Sequence, residues 1–187
     1  DWESRAVSAR DAVALLKSAQ RVFVHGAAAT PTTLLDAMVE RTELEQVQLF
    51  HLHLQGDCRF AAPEHEGRFV SHSLFSSAPV RKAIAEGRAH YIPVFLSDIP
   101  GLFKNKRIPL DVAMVQLSPP DAHGYCTLGT SVDIAKTACE MAPVLIAEIN
   151  EQMPRTHGAT MVPLNRLAAY VHTNRPLVEH HPEPETE

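Results

Sequence analysis

Four groups of residues in this chain have the types and spacing that chemistry needs. The first is Gly26-Ala27-Ala28-Ala29-Thr30-Pro31, a loop without large side chains that follows Val22-Phe-Val24 and leads into a helix. Its backbone N–H groups are free to approach a ligand, which suits an anion or oxyanion cradle, although a plain strand-to-helix turn has the same composition. The second is Ser118-Pro-Pro-Asp-Ala-His-Gly124, where two prolines lower the entropy cost of holding a polar loop in one shape. It reads as a fixed pocket wall or as a turn between elements. The third is Arg155-Thr156, a bidentate cation and a hydroxyl suited to a carboxylate or phosphate, or equally a solvated loop. The fourth is His51 and His53, two apart, with Cys58 five residues further on. That spacing permits zinc, but the polar face of a strand explains it better, and no metal site is expected. Cys126 and Cys139 lack a base or cation at motif spacing. Asp57 with Glu64 or Glu66 forms no convincing carboxylate pair. No nucleophile–base set emerges from the residues.

The elements that must position these groups alternate between strand and helix. Ser8-Ala-Arg-Asp11 has the form of a helix start, with Ala9, Val13 and Leu16 on one face. Val22–Val24 reads as a strand, Thr33–Arg41 as a helix, Val47–Leu54 as a strand and residues 55–67 as an irregular loop. Arg68–His72 forms a short strand and Pro79 opens a helix that stops at Gly87. Tyr91–Leu96 contains Pro93 and is at most an edge strand. Asp111–Leu117 and Val144–Ile149 are near-continuous apolar runs of the kind buried in a parallel sheet, with a helix over Val132–Met141 between them. The pattern predicts an α/β fold, a mostly parallel sheet flanked by helices. Ligands in such sheets sit beyond the carboxyl ends of the strands. Three loops follow good strands, at 26–31, 118–129 and 150–158, and they meet at one edge if those strands are neighbours.

The 187 residues suit one domain with a sizeable core, and the net charge of −5 shows none of the basic excess expected of a nucleic-acid binder. The longest apolar run, 142–147, is too short to span a bilayer. Three cysteines without CxxC spacing and no signal peptide at the start point to a reducing, cytoplasmic setting. Residues 179–187 are acidic and contain two prolines, as a linker or tail does.

Longer stretches carry a family resemblance. Ser118-Pro-Pro-Asp-Ala-His-Gly-Tyr-Cys-Thr-Leu-Gly-Thr-Ser-Val-Asp133 resembles a signature of the acetyl-CoA hydrolase/transferase family, the 4-hydroxybutyrate CoA-transferase-like enzymes, with Thr127 where serine is usual. Ile146-Ala-Glu-Ile-Asn-Glu-Gln-Met-Pro-Arg-Thr-His-Gly158 and Glu86-Gly-Arg-Ala-His-Tyr-Ile-Pro-Val-Phe-Leu-Ser-Asp-Ile-Pro100 are similar to two others, and Val24–Pro31 to its first small-residue loop. The resemblance implies a CoA-transferase-type, Rossmann-like domain over 1–178, with a catalytic domain beyond this chain. It implies short-chain acyl-CoA and a carboxylate acceptor as substrates, coenzyme A as a substrate and no further cofactor, and a second CoA-transferase domain as partner. No nucleic acid or membrane is expected, and a homo-oligomer stays open. The family's nucleophilic glutamate, which forms a glutamyl-CoA thioester, belongs to the second domain, so no catalytic residue is expected here. By resemblance, Gly26, Ala27, Ala28, Thr30 and Pro31 lie near the acyl group or acceptor. Pro119, Asp121, Gly124, Gly129 and Ser131 shape the wall, and Asn150, Arg155 and Thr156 border it. A stand-alone ligand-binding sensor domain of the same α/β type is the competing reading.

Overall fold

The computed structural model describes residues 1–179 and 181. Seven strands form one parallel sheet: β1 (Arg21–Val24), β2 (Val47–His51), β3 (Phe69–Ser73), β4 (His90–Tyr91), β5 (Val112–Leu117), β7 (Val144–Asn150) and β9 (Leu167–Thr173). A two-stranded antiparallel ribbon, β6 (Tyr125–Thr127) with β8 (Met161–Pro163), stands apart from it. The helices are α1 (Ala9–Val13), α2 (Thr32–Val39), α3 (Ala78–Ala85), α4 (Ile99–Lys104) and α5 (Ala135–Met141). The sheet order is β4-β3-β2-β1-β5-β7-β9. The chain therefore winds outward from β1 to β4, then returns to β5 and winds the other way. The reversal lies between β1 and β5, where a parallel sheet opens a crevice at its carboxyl edge.

Strand alternation builds two cores. Val22, Val24, Leu49, Met114 and Ile146 face α1 and α2, while Phe23, Phe50, Val115, Ala147 and Ile149 face α4 and α5. All six residues of β5 are buried, because both of its faces are covered by helices. Ser8 caps α1 as its sequence predicts: its Oγ accepts from the Asp11 amide at 3.1 Å.

Several elements differ from the sequence-based reading. α1 is only five residues long, and Leu16 is buried from the following turn. β2 stops at His51 instead of Leu54, because the chain bends to bring His53 against the first loop. The 55–67 segment holds two 3₁₀ turns, Arg59–Ala61 and Pro63–His65. The edge strand is reduced to His90–Tyr91 and ends before Pro93, which has no N–H for a ladder. α5 starts at Ala135, three residues later than the pattern suggests, after Asp133 takes a positive φ of 20°. α4, the ribbon and β9 are additions. Of the expected acidic tail, residues 180 and 182–187 lie outside the described residues.

His51 is fully buried and does not form a polar strand face. Its Nδ1–H donates to the Leu52 carbonyl at 2.6 Å, and Nε2 contacts the Ser71 hydroxyl at 2.6 Å. Burial pulls its pKa down to about 4. His72, stacked between Phe50 and His90, is pulled down to about 4 by burial and by the His90 charge.

Gly26, which opens the small-residue loop after β1, does not itself make the turn. It is extended, with φ −112° and ψ −174°, and the left-handed residue is its neighbour Ala27 at φ 52°. Glycine is required here by the close approach of two segments of the chain, the loop after β1 and the residues that follow β2. A Cβ on Gly26 would lie 2.8 Å from the His53 carbonyl oxygen, which accepts the Ala27 amide at 2.8 Å.

Two outcomes follow from these constraints. Below pH 6.5 the unfolded chain protonates His25, His51 and His72 while the fold keeps them neutral, so stability falls as pH drops from 6.5 toward 4. His51 alone contributes on the order of 3 kcal/mol across that window. Urea midpoints at pH 7, 6 and 5 should fall steadily, and a His51→Asn variant should flatten the slope. Gly26→Val should destabilise by about 2–3 kcal/mol, roughly 4–12 °C in melting temperature, because the obstacle is backbone. A melting temperature unchanged from the parent would contradict this.

Candidate functional site

β1, β5 and β7 are adjacent and parallel, so the loops that follow them share the carboxyl edge. A buried polar network joins these loops. The Gln116 amide donates to Nδ1 of His25 at 3.3 Å, which leaves Nε2–H to donate to the Ser131 carbonyl at 2.6 Å. Burial lowers the His25 pKa and keeps this ring neutral. Gln116 Nε2 donates to the Thr30 carbonyl at 3.1 Å, and its Oε1 accepts from Asn150 at 2.9 Å. Glu148 is fully buried beneath the start of α2. Its Oε1 accepts from Thr33 at 3.1 Å, Thr173 at 3.0 Å and Arg175 Nε at 2.6 Å. Its Oε2 has no partner among the described residues. Such a pair tolerates no single deletion, since removing the cation leaves a buried carboxylate uncompensated at a cost of about 3–5 kcal/mol.

The second and third loops brace each other. Asp121 accepts the Tyr125 and His123 amides, both at 2.9 Å, and Arg155 Nη2 at 2.8 Å. The Tyr125 amide, the His123 amide and the Arg155 guanidinium hold its carboxyl below the usual range. Arg155 Nη1 donates to the Tyr125 carbonyl at 2.9 Å, so its fork is engaged within the protein. Thr156 Oγ1 donates to the Gly129 carbonyl at 2.9 Å. Gly129 is buried at φ 62°, and a Cβ there would meet Met153 Sδ at 2.1 Å. Pro119 and Gly124 are half-buried in the same loop, and the Gly124 carbonyl accepts the Leu164 amide at 2.8 Å.

The large cavity lies on the other side of the switch point. Its volume is about 1540 Å³, over the ends of β1, β2 and β3. Leu52, Leu54, Leu74, Val94 and Ile99 give it an apolar surface, and His53, Ser76, Ser77 and Arg81 add a few polar groups. That mixture is usual for small-molecule sites. Of the sequence-predicted residues, Ala27 and Ala28 line it. Gly26, Thr30 and Pro31 are buried behind them, and the predicted residues from Pro119 to Thr156 belong to the braced loops beside it. His53, which sequence reasoning weighed only as a zinc ligand beside His51, lines the cavity and meets the Phe75 ring edge-on at 5.5 Å, while Ser77, whose Oγ accepts the Leu54 amide at 3.0 Å, was missed. The signal was present: Pro79 opens a helix soon after a strand, which makes 74–78 a fourth loop at the same edge.

Among the described residues, no three histidine, cysteine or acidic side chains group to hold a metal. Burial pushes the thiols of Cys58, Cys126 and Cys139 up to about 12. No helix of the described residues is long and apolar enough to cross a membrane.

Comparison with known proteins places this geometry. The chain is 41% identical over 175 residues to a succinyl-CoA:acetate/propanoyl-CoA:succinate CoA transferase of Fasciola hepatica, covering 92% of the chain and 36% of that protein. It is 34% identical to a 4-hydroxybutyrate coenzyme A transferase of Clostridium kluyveri, over 97% of the chain and 44% of that protein. The solved 4-hydroxybutyrate CoA-transferase of Porphyromonas gingivalis superposes with a TM-score of 0.81 at 33% identity, over 97% of the chain and 42% of that structure. RipA from Yersinia pestis shares the fold at a TM-score of 0.91 and 24% identity, over 99% of the chain and 46% of that structure. The chain thus spans less than half the length of these relatives. The sequence model described as acetyl-CoA hydrolase/transferase N-terminal domain matches residues 1–179, and the chain belongs to that family.

Proposed function

We propose that this chain is the N-terminal domain of an acyl-CoA:carboxylate CoA-transferase or acetyl-CoA hydrolase. In this reading it moves CoA between short-chain carboxylates in cytoplasmic acetate metabolism. The observation that carries the reading is the 41% identity to a CoA transferase across 92% of the chain. The cavity at the carboxyl edge, with small Ala27 and Ala28 at its surface, gives an acyl-CoA a wall to lie against. A sensor domain is not favoured by the family match over 1–179.

The nucleophile is a glutamate of the second domain. Its carboxylate attacks the thioester carbonyl and expels CoA thiolate, leaving an acyl–glutamyl anhydride. The thiolate then attacks the glutamyl carbonyl, which releases the carboxylate product and forms glutamyl-CoA. An acceptor carboxylate reverses these steps, and water in its place gives hydrolysis. The candidates within this chain support an external nucleophile. Glu148 is buried against Arg175, Asp121 is held by Arg155, and Glu179 at the cavity rim has a 78% exposed side chain. The domain's role is to bind and orient, and no cofactor beyond coenzyme A as substrate is assigned. Phe75 and Leu96 at the cavity mouth are each 56% exposed, and nearby Phe95 is 79% exposed. The second domain covers this apolar rim in the whole protein.

Two experiments test the reading. Full-length protein incubated with acetyl-CoA should show, by mass spectrometry, one CoA adduct on a glutamate outside residues 1–187. An adduct on Glu148, Glu151 or Glu179, or none, would overturn the assignment. Residues 1–187 alone should show no thioester loss above background, and should self-associate or bind an apolar dye through the uncovered rim.

A further inference from the structure

The chain leaves β9 at one edge of the sheet, yet Leu177 and Val178 line the cavity over β1, β2 and β3. From β9 to β1 is three strand spacings, roughly 14 Å. Five extended residues cover about 17 Å. Segment 174–178 therefore crosses the ends of β7 and β5 almost fully extended and without a ladder of its own. Asn174 accepts from Gln152 at 2.8 Å and donates to Glu151 at 2.8 Å at the exposed start of the segment, and Arg175 makes its buried attachment. The Arg175 amide donates to Asn150 Oδ1 at 3.1 Å, and its carbonyl accepts Asn150 Nδ2 at 2.9 Å. Nε donates to buried Glu148 at 2.6 Å, and Nη2 to the Thr30 carbonyl at 3.2 Å. One guanidinium thus ties the end of β7, the loop after β1 and the exit segment together. Asn150 repeats the connection through Gln116, which also donates to the Thr30 carbonyl.

We propose that Arg175 is a positioning residue for the cavity. Its fork lays Leu177 and Val178 across the strand ends as an apolar wall of the cavity that Ala27 and Ala28 also line, and so sets affinity for the acyl-CoA without touching the reacting atoms. The assignment to acyl-CoA rests on the function proposed above. A lysine at this position would reach Glu148 as a point charge, but lacks the planar fork that serves Glu148 and Thr30 together.

The test uses the full-length protein with Arg175→Lys, since Arg175→Ala strands a buried carboxylate and risks the fold. Melting temperature, kcat and KM for acetyl-CoA are measured alongside amide hydrogen exchange. Arg175→Lys should melt within a few degrees of the parent and raise KM about tenfold, with kcat within twofold. Exchange should rise at 177–179 and 27–30, while β5 stays protected. A variant whose KM and exchange are unchanged overturns the proposal. A joint fall of kcat and melting temperature at constant KM also overturns it, by showing a structural role only. If the parent transfers no CoA, the functional reading fails separately, and unchanged exchange at 177–179 in Arg175→Lys still overturns the tether.

Discussion

The buried pairing of Glu148 with Arg175 is the interaction on which the arrangement at the carboxyl edge depends. A carboxylate with zero exposure inside a sheet is costly unless a cation and several donors meet it. Thr33 from α2, Thr173 from the end of β9 and Arg175 beyond it supply those donors. Satisfying one charge therefore fixes a helix start, a strand end and the exit segment relative to one another. Arg175 then reaches the Thr30 carbonyl, which places the first loop in the same register. Any rearrangement of that edge must strand the carboxylate, so the edge is held as a unit.

The rest of the edge follows the same logic with neutral groups. His25, Gln116 and Asn150 are each fully buried, and each uses its side chain to join two loops. A neutral imidazole at His25 is part of this, since the ring must accept from one amide and donate to one carbonyl. The braced loops over β5 and β7 and the open cavity over β1 to β3 divide the edge into a rigid part and a receptive part. The switch point between β1 and β5 is where the two meet.

Much of this was legible in the sequence. The buried runs at 111–117 and 144–149 have the composition of central parallel strands, and they are adjacent in the sheet. The small-residue loop after Val24 does reach the cavity through Ala27 and Ala28. Other features depend on distant partners and have no local signature. The function of Gly26 as a contact point for the His53 carbonyl requires β2 to end early, which no local pattern around either residue records. Arg155 looks like a free bidentate cation in sequence, and only the fold shows Asp121, thirty-four residues earlier, in its fork. β9 was missed because Leu167–Thr173 is a sheet edge and only partly buried, so its hydrophobic pattern is weak. Arg175 was missed because its partners Glu148 and Thr30 come from two other strands' ends.

Under the proposed function, acyl-CoA lies against the cavity over β1 to β3 and not against the braced loops over β5 and β7. Alkylation of introduced thiols, followed peptide by peptide, measures this directly, because the three cysteines of residues 1–187 are buried and their thiols pushed up to about 12, which leaves a quiet background within this domain. Ala28→Cys and Ser76→Cys report on the cavity, and Tyr125→Cys reports on the braced loop. In full-length protein, saturating acetyl-CoA should slow iodoacetamide labelling at positions 28 and 76 by about tenfold or more and leave position 125 unchanged. Unchanged rates at 28 and 76, or protection confined to 125, would contradict the account.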